Sequence, residues 1–304
     1  MTGVAGTPLP KLLGVLRELG HLKRVRSAGR SGSIAERLFA ASWSRLLAGQ
    51  PNEQVWRQAT AEALAATLLG DLNHKALHAA GLSHEETRGV LLRGLRDAAA
   101  DVDAEMRRQL INGMSTAEPF EAILLPSFVG QLAAQPRAGA TSPGHPRLLF
   151  EPAENHAEHC LMVAVYGVLL SPTWGADPAT VFLAGLSHHL HNALLPDSGF
   201  VGEVLLGDAL EPACARATDQ ALAALPPDLA AQVRTARLIL PAADTPEGRA
   251  FHAADTLDRV LQVEHHLRMA RTTLDYVLND MELIHAGTVR PFQVEVIAAM
   301  GLSR

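Results

Sequence analysis

Between Ser187 and Asp197 the chain reads Ser187-His188-His189-Leu190-His191-Asn192-Ala193-Leu194-Leu195-Pro196-Asp197, three imidazoles and a carboxylate on a segment flanked by apolar helix formers. Upstream lies Glu154-Asn155-His156-Ala157-Glu158-His159, and downstream lies His252-Ala253-Ala254-Asp255. Histidines scattered on a surface cost little, but these stand in stretches that otherwise read as buried helix. Any fold that buries them must give their ring nitrogens partners. Imidazoles that converge from separate helices hold a metal, a phosphate or each other. The reading is a metal-centred site on a helical scaffold.

The rest of the chain agrees with helices. Aromatic residues are 4% of 304, while Ala and Leu dominate an apolar fraction of 48%, a bias towards packed helices over sheets. Helical periodicity runs through residues 11–22, 34–48, 53–70, 85–113, 118–133, 155–171, 178–195, 210–224, 227–238, 246–285 and 291–300. Asp177-Pro178 reads as a helix start, with Asp capping and Pro at the first helical position. No stretch sustains the alternation of a half-buried strand. The expected class is all-α.

Residues 135–146, rich in Pro, Gly and Ser, form the best linker. They divide a helical N-terminal domain, 1–134, from a C-terminal domain, 147–304. Ala35-Glu36-Arg37-Leu38 resembles Ala157-Glu158-His159-Cys160, and residues 70–81 align on 188–199, a weak internal repeat whose first copy lacks the histidines. The basic run Lys23-Arg24-Val25-Arg26 through Arg30 reads as a solvated loop. Trp43, Trp56 and Trp174 read as packing residues, and His265 and His266 as exposed.

Charge and cysteines narrow the class further. A formal charge of −6 gives no reason to expect a nucleic-acid polymer as partner. Cys160 and Cys214 lack metal-type spacing and read as small thiols in a reducing cytoplasm. The first ten residues show no basic segment leading into a long apolar run, and no uncharged apolar stretch reaches the roughly 18 residues of a membrane span. A cytoplasmic protein without a membrane partner is expected.

The order of a His, then a His-Asp-like pair, then a distant Asp resembles the HD superfamily of metal-dependent phosphohydrolases. The nearest likeness is to bacterial HD-domain 5′-deoxynucleotidases. Their first motif resembles Glu154-Asn155 through Glu158-His159, their second resembles Leu186 through Asp197 without a gap, and their last resembles Ala254-Asp255 with Leu257. The likeness covers roughly residues 147–280. It implies a metal set of His159, His188, His189 and Asp255, suited to Mn, Co, Zn or Fe. It also implies a small phosphorylated substrate, a nucleotide for choice. Relatives of this kind are often homodimers.

Two positions depart from the family pattern. His189 stands where the motif has Asp, which keeps a ligand but removes a negative charge. Asn192 stands where the nucleotidases carry a Glu that orients or activates water, and Asn takes up no proton near neutral pH. General-base work then passes to Asp197, to His191 or to the metal alone, with Arg147 and His156 as phosphate contacts. Two other functions fit the same residues. One is a catalytically degenerate HD protein serving as a ligand-binding or regulatory module. The other is an HD-type di-iron oxygenase, with His156, His191 or His252 as the additional ligands.

Overall fold

A computed structural model describes residues 9–115, 123–267 and 273–302. In the N-terminal half the helices are α1 (Leu9–Gly20), α2 (Ile34–Leu47), α3 (Asn52–Leu69), α4 (His74–Ala79), α5 (His84–Ala98), α6 (Ala104–Ser115) and α7 (Ser127–Ala134). The C-terminal half adds α8 (His156–Trp174), α9 (Pro178–Ser187), α10 (Gly199–Leu206), α11 (Leu210–Leu222), α12 (Pro227–Ala236), α13 (Pro246–Leu267) and α14 (Arg290–Ala299). The fold is all-α apart from one small hairpin, β1 (Arg26–Ser27) with β2 (Arg30–Ser33). No described helix is long and apolar enough to cross a membrane.

Helix α8 is the axis of the molecule. It is buried on every side from His156 to Ser171, and α2, α7, α9 and α13 pack around it. Its start is fixed by a capping box: the Asn155 side chain accepts from the Glu158 N–H, and the Glu158 carboxylate accepts from the Asn155 N–H. Helix α9 begins as its sequence predicts, with Asp177 accepting from the Ala179 and Thr180 N–H groups and Pro178 in the first turn. One continuous core joins Phe39, Trp43 and Trp56 from the N-terminal half to Tyr166, Phe182 and Phe251. The Tyr166 hydroxyl donates to the Leu16 carbonyl at 2.6 Å, tying α8 to α1.

Small residues set how near α8 and α9 come. A Cβ on Gly185 would lie 2.6 Å from the Ala164 Cα, and one on Gly167 would collide with a Val181 methyl. Because the obstacle at Gly185 is backbone, relaxation is limited. Gly185→Ala is expected to destabilise by at least the roughly 1–3 kcal/mol of an overpacked core, seen as a lowered urea midpoint. An unchanged midpoint would show that the two helices have slack between them.

Several helix boundaries differ from expectation, each for a local reason. The run 85–113 breaks between α5 and α6, where the Asp103 carboxylate caps the Glu105 and Met106 N–H groups. The run 178–195 ends at Ser187 and continues as a tight 3-10 turn, Leu190–Ala193. Helix α7 starts behind Pro126, and positions 118–122 and 268–272 of two predicted helices lie outside the described residues.

The basic run from Lys23 is not a solvated loop. Lys23 is buried, and the residues after it form the hairpin, turning through Gly29 at φ 73°. The segment 135–146 lies against the body of the molecule through antiparallel bridges from Pro136 to Asn155 and from Ala140 to Leu148. His266 is half-buried rather than exposed, and its ring stacks on Phe150 at 5.0 Å.

Candidate metal centre

Three helices bring the histidines together. His159 sits in the first turn of α8, His188 and His189 follow the last turn of α9, and Asp255 lies within α13. One ring nitrogen from each of His159, His188 and His189 falls within 4.8 Å of the others, a group able to hold a metal ion. The Asp255 carboxylate reaches His159 Nε2 at 3.2 Å and His188 Nε2 at 4.0 Å.

Partners behind each ring fix which nitrogen faces inward. His159 Nδ1 donates to Asp258 Oδ2 at 2.7 Å, and His188 Nδ1 donates to the Gly185 carbonyl at 2.7 Å. His189 Nδ1 donates to Asn192 Oδ1 at 2.7 Å, while Asn192 Nδ2 donates to the Leu195 carbonyl and so holds its amide in that orientation. Each Nδ1 therefore carries a proton, and each ring is held with its Nε2 turned inward. This is the outer arrangement of metal-bound histidines.

The electrostatics fit a cation. Burial, then the neighbouring imidazoles, push His188 and His189 well below the usual histidine range, so both are neutral near pH 7. Burial raises the Asp255 carboxyl, but hydrogen bonding to His159 and the nearby Arg259 charge outweigh it and hold the group below the usual carboxylate range. His188 Nε2 and His159 Nε2 face each other at 3.1 Å. His159 Nε2, His188 Nε2 and an Asp255 oxygen thus crowd one small region, and atoms of these types at that spacing fit a divalent ion.

Of the other side chains singled out by sequence, His156 is the most informative. It is fully buried, neither ring nitrogen has a hydrogen-bond partner, and its ring lies 4.7 Å from that of His189. Its Nε2 is 3.7 Å from Asp197 Oδ2. Asp197 itself accepts from the Ala138 and Gly199 N–H groups, so it holds the turn as well as bordering the site. His191 lies 5.5 Å from His189, and burial with the Arg237 charge brings it down to about 4.

Arg147 does not meet the imidazoles; it donates to the carbonyls of Ala138 and Ser198. His252 is buried, and its ring nitrogens belong to neither group of converging ligand atoms among the described residues. Cys160 is buried and its thiol is pushed up to about 12 by that burial, which leaves it unreactive. Arg259 donates to the Leu283 carbonyl rather than pairing with Asp255.

Sequence reading missed Arg137. Its Nη1 stands 3.4 Å from His189 Nε2, and its Nε is 3.7 Å from Glu154 Oε2. Burial disfavours its charge, but Glu154, Asp197 and Asp255 outweigh that, so it is a firmly held cation at the mouth of the histidine cluster. Its local sequence reads as linker. The bridge between Pro136 and Asn155 is what carries it to the start of α8.

The fold and site define an all-α protein whose three helices bring oriented imidazoles and a carboxylate together in a group able to hold a metal ion. A family model described as HD domain matches residues 129–291, more than half of the chain, and the chain belongs to the HD domain family. The match takes in Arg137 together with every histidine of the cluster. Comparison with curated proteins and comparison with solved structures each return no match.

Proposed function

We propose that this protein is a metal-dependent phosphohydrolase acting on a small phosphomonoester, with His159, His188, His189 and Asp255 as the metal ligands. The observation that carries the reading is the half-buried Arg137 guanidinium beside His189 Nε2, a fixed cation next to a cluster that fits a second, divalent one. An anion between them would meet positive charge on two sides. A divalent ion bound there supplies an acidified water and polarises a phosphoryl oxygen. Arg137 would bind and orient the phosphate. His156, whose ring nitrogens lack partners, would donate an N–H to a phosphate oxygen.

Asn192 is bonded at both ends, so in this reading it orients His189 rather than moving a proton. Proton removal falls to Asp197, through its Oδ2 near His156. The likeness of the motifs to bacterial 5′-deoxynucleotidases makes a nucleoside monophosphate the first substrate to try. One observation favours a second reading, a ligand-binding module: both Asp197 oxygens already accept backbone N–H groups, so Asp197 is not dedicated to proton transfer.

The test is phosphate release from nucleoside monophosphates and sugar phosphates, with Mn²⁺, Co²⁺, Zn²⁺ or Fe²⁺ added, for wild type beside Arg137→Ala. Release by wild type, reduced about 10²–10³-fold in the variant as for loss of a transition-state donor, supports the hydrolase. A metal-loaded wild type that turns over none of them, yet is stabilised by one, establishes the binding module instead.

A further inference from the structure

The N-terminal half contributes one charge to the centre. Lys23, at the end of the turn after α1, passes into the C-terminal half and ends between two carboxylates. Its Nζ lies 2.6 Å from Asp258 Oδ1 and 2.5 Å from Glu154 Oε1. The Lys23 and Asp258 side chains are 2% and 1% exposed, and that of Glu154 is 8% exposed. Asp258, Glu154 and His159 also form a group whose ligand atoms converge closely enough for a metal ion. The lysine ammonium stands against both of its carboxylates.

Each carboxylate uses its other oxygen on the active-site side. Asp258 Oδ2 accepts from His159 Nδ1, and Glu154 Oε2 faces Arg137 Nε. Two chains of contact therefore diverge from one ammonium. One runs through Asp258 to His159, and the other through Glu154 to Arg137. Without the ammonium, two buried carboxylates face each other with no cation between them and are driven apart. The rotation would carry His159 and Arg137 with them.

We infer that Lys23 is a positioning residue that sets His159 through Asp258 and Arg137 through Glu154, so that the N-terminal half is an integral part of the metal centre. The inference rests on the metal-centre reading above. It gives the N-terminal half a role that its own sequence does not announce. It also accounts for a lysine that is buried within a basic run.

The test measures metal affinity by competition with a chelator, using Zn²⁺ and Mn²⁺ on the full chain as wild type, Lys23→Met, Lys23→Arg, Asp258→Asn and the double variant Lys23→Met with Asp258→Asn. Loss of a ligand's outer partner lowers metal affinity about 10–100-fold. That is the change expected for Lys23→Met and for Asp258→Asn. Lys23→Arg, which keeps the charge, is expected to recover most of it. The double variant is expected to fall no further than the worse single one, because both act through one chain of contacts. A lysine with a packing role alone would lower the melting temperature and leave the affinity of the folded protein unchanged, and that result overturns the inference. If Lys23→Met does not fold, Asp258→Asn with unaltered affinity overturns it equally. A wild type that binds neither metal overturns the metal-centre reading itself, which separates the two failures.

Discussion

Purified His188→Ala is expected to come out of purification without the metal that the wild type carries. Elemental analysis should give about one or two equivalents of a transition metal for wild type and essentially none for the variant. The size of the effect follows from the site. His188 Nε2 lies 3.1 Å from His159 Nε2 and 4.0 Å from Asp255 Oδ1, so it supplies one corner of the proposed ligand set. Removing it leaves the His159 and His189 rings with a gap where the three ring nitrogens converge. The loss should exceed the roughly 10–100-fold that removal of an outer partner costs. Helical circular dichroism separates this from unfolding, since His188 stands beyond the last turn of α9 and donates only to Gly185. A folded variant that retains full metal would remove His188 from the ligand set. A wild type that stays metal-free after exposure to Mn²⁺, Co²⁺ and Zn²⁺ would leave the binding-module reading standing.

What the sequence makes legible here is local, and what it hides is carried by long-range packing. His159, His188, His189 and Asp255 stand out because imidazoles and a carboxylate interrupt apolar helical patterns, and in the fold their side chains meet. Helix starts at Asn155 and Asp177 are readable for the same reason, since capping involves neighbours along the chain. Arg137 and Lys23 are not readable. Each is a cation in a stretch whose composition suggests solvent, and each is turned inward by partners far along the chain, at Glu154 and Asp258. Asp258 follows Asp255 by a single turn and so shares its face. That spacing was the available signal. The break of the predicted 178–195 helix after Ser187 was also hidden, because Leu, His and Asn continue the periodic pattern. The turn that results is what places Asn192 behind His189.

The same burial that makes the imidazoles good ligands makes the metal-free protein sensitive to acid. Burial is the leading cause that lowers His156, His188, His189, His191 and His252, with neighbouring positive groups adding to it at all but His252. A histidine whose folded value lies below its unfolded one, near 6.5, binds its proton more readily when unfolded. Its contribution to stability is full above about pH 6.5 and is lost as the pH falls towards the folded value, which for His191 is about 4. Each such group costs at most about 1.4 kcal/mol per pH unit in that window. Four of them, His156, His188, His189 and His191, would together approach about 5 kcal/mol per unit, against a typical domain stability of about 5–15 kcal/mol. Asp255 and Asp258 act lower down. Their folded values are depressed, to about 2 for Asp258, so their contribution is full above the ordinary carboxylate value and is lost only as the pH falls below it. The expected result is a cooperative loss of helical signal in chelator-treated protein between about pH 6.5 and 5, before Asp255 and Asp258 titrate. Bound metal competes with protons for the same nitrogens, so loaded protein should hold its fold to lower pH. Chelator-treated protein with an unchanged melting temperature from pH 7 to pH 5 would mean that these rings are hydrated or already charged. In that event the close approach of His159 and His188 would not by itself call for a cation.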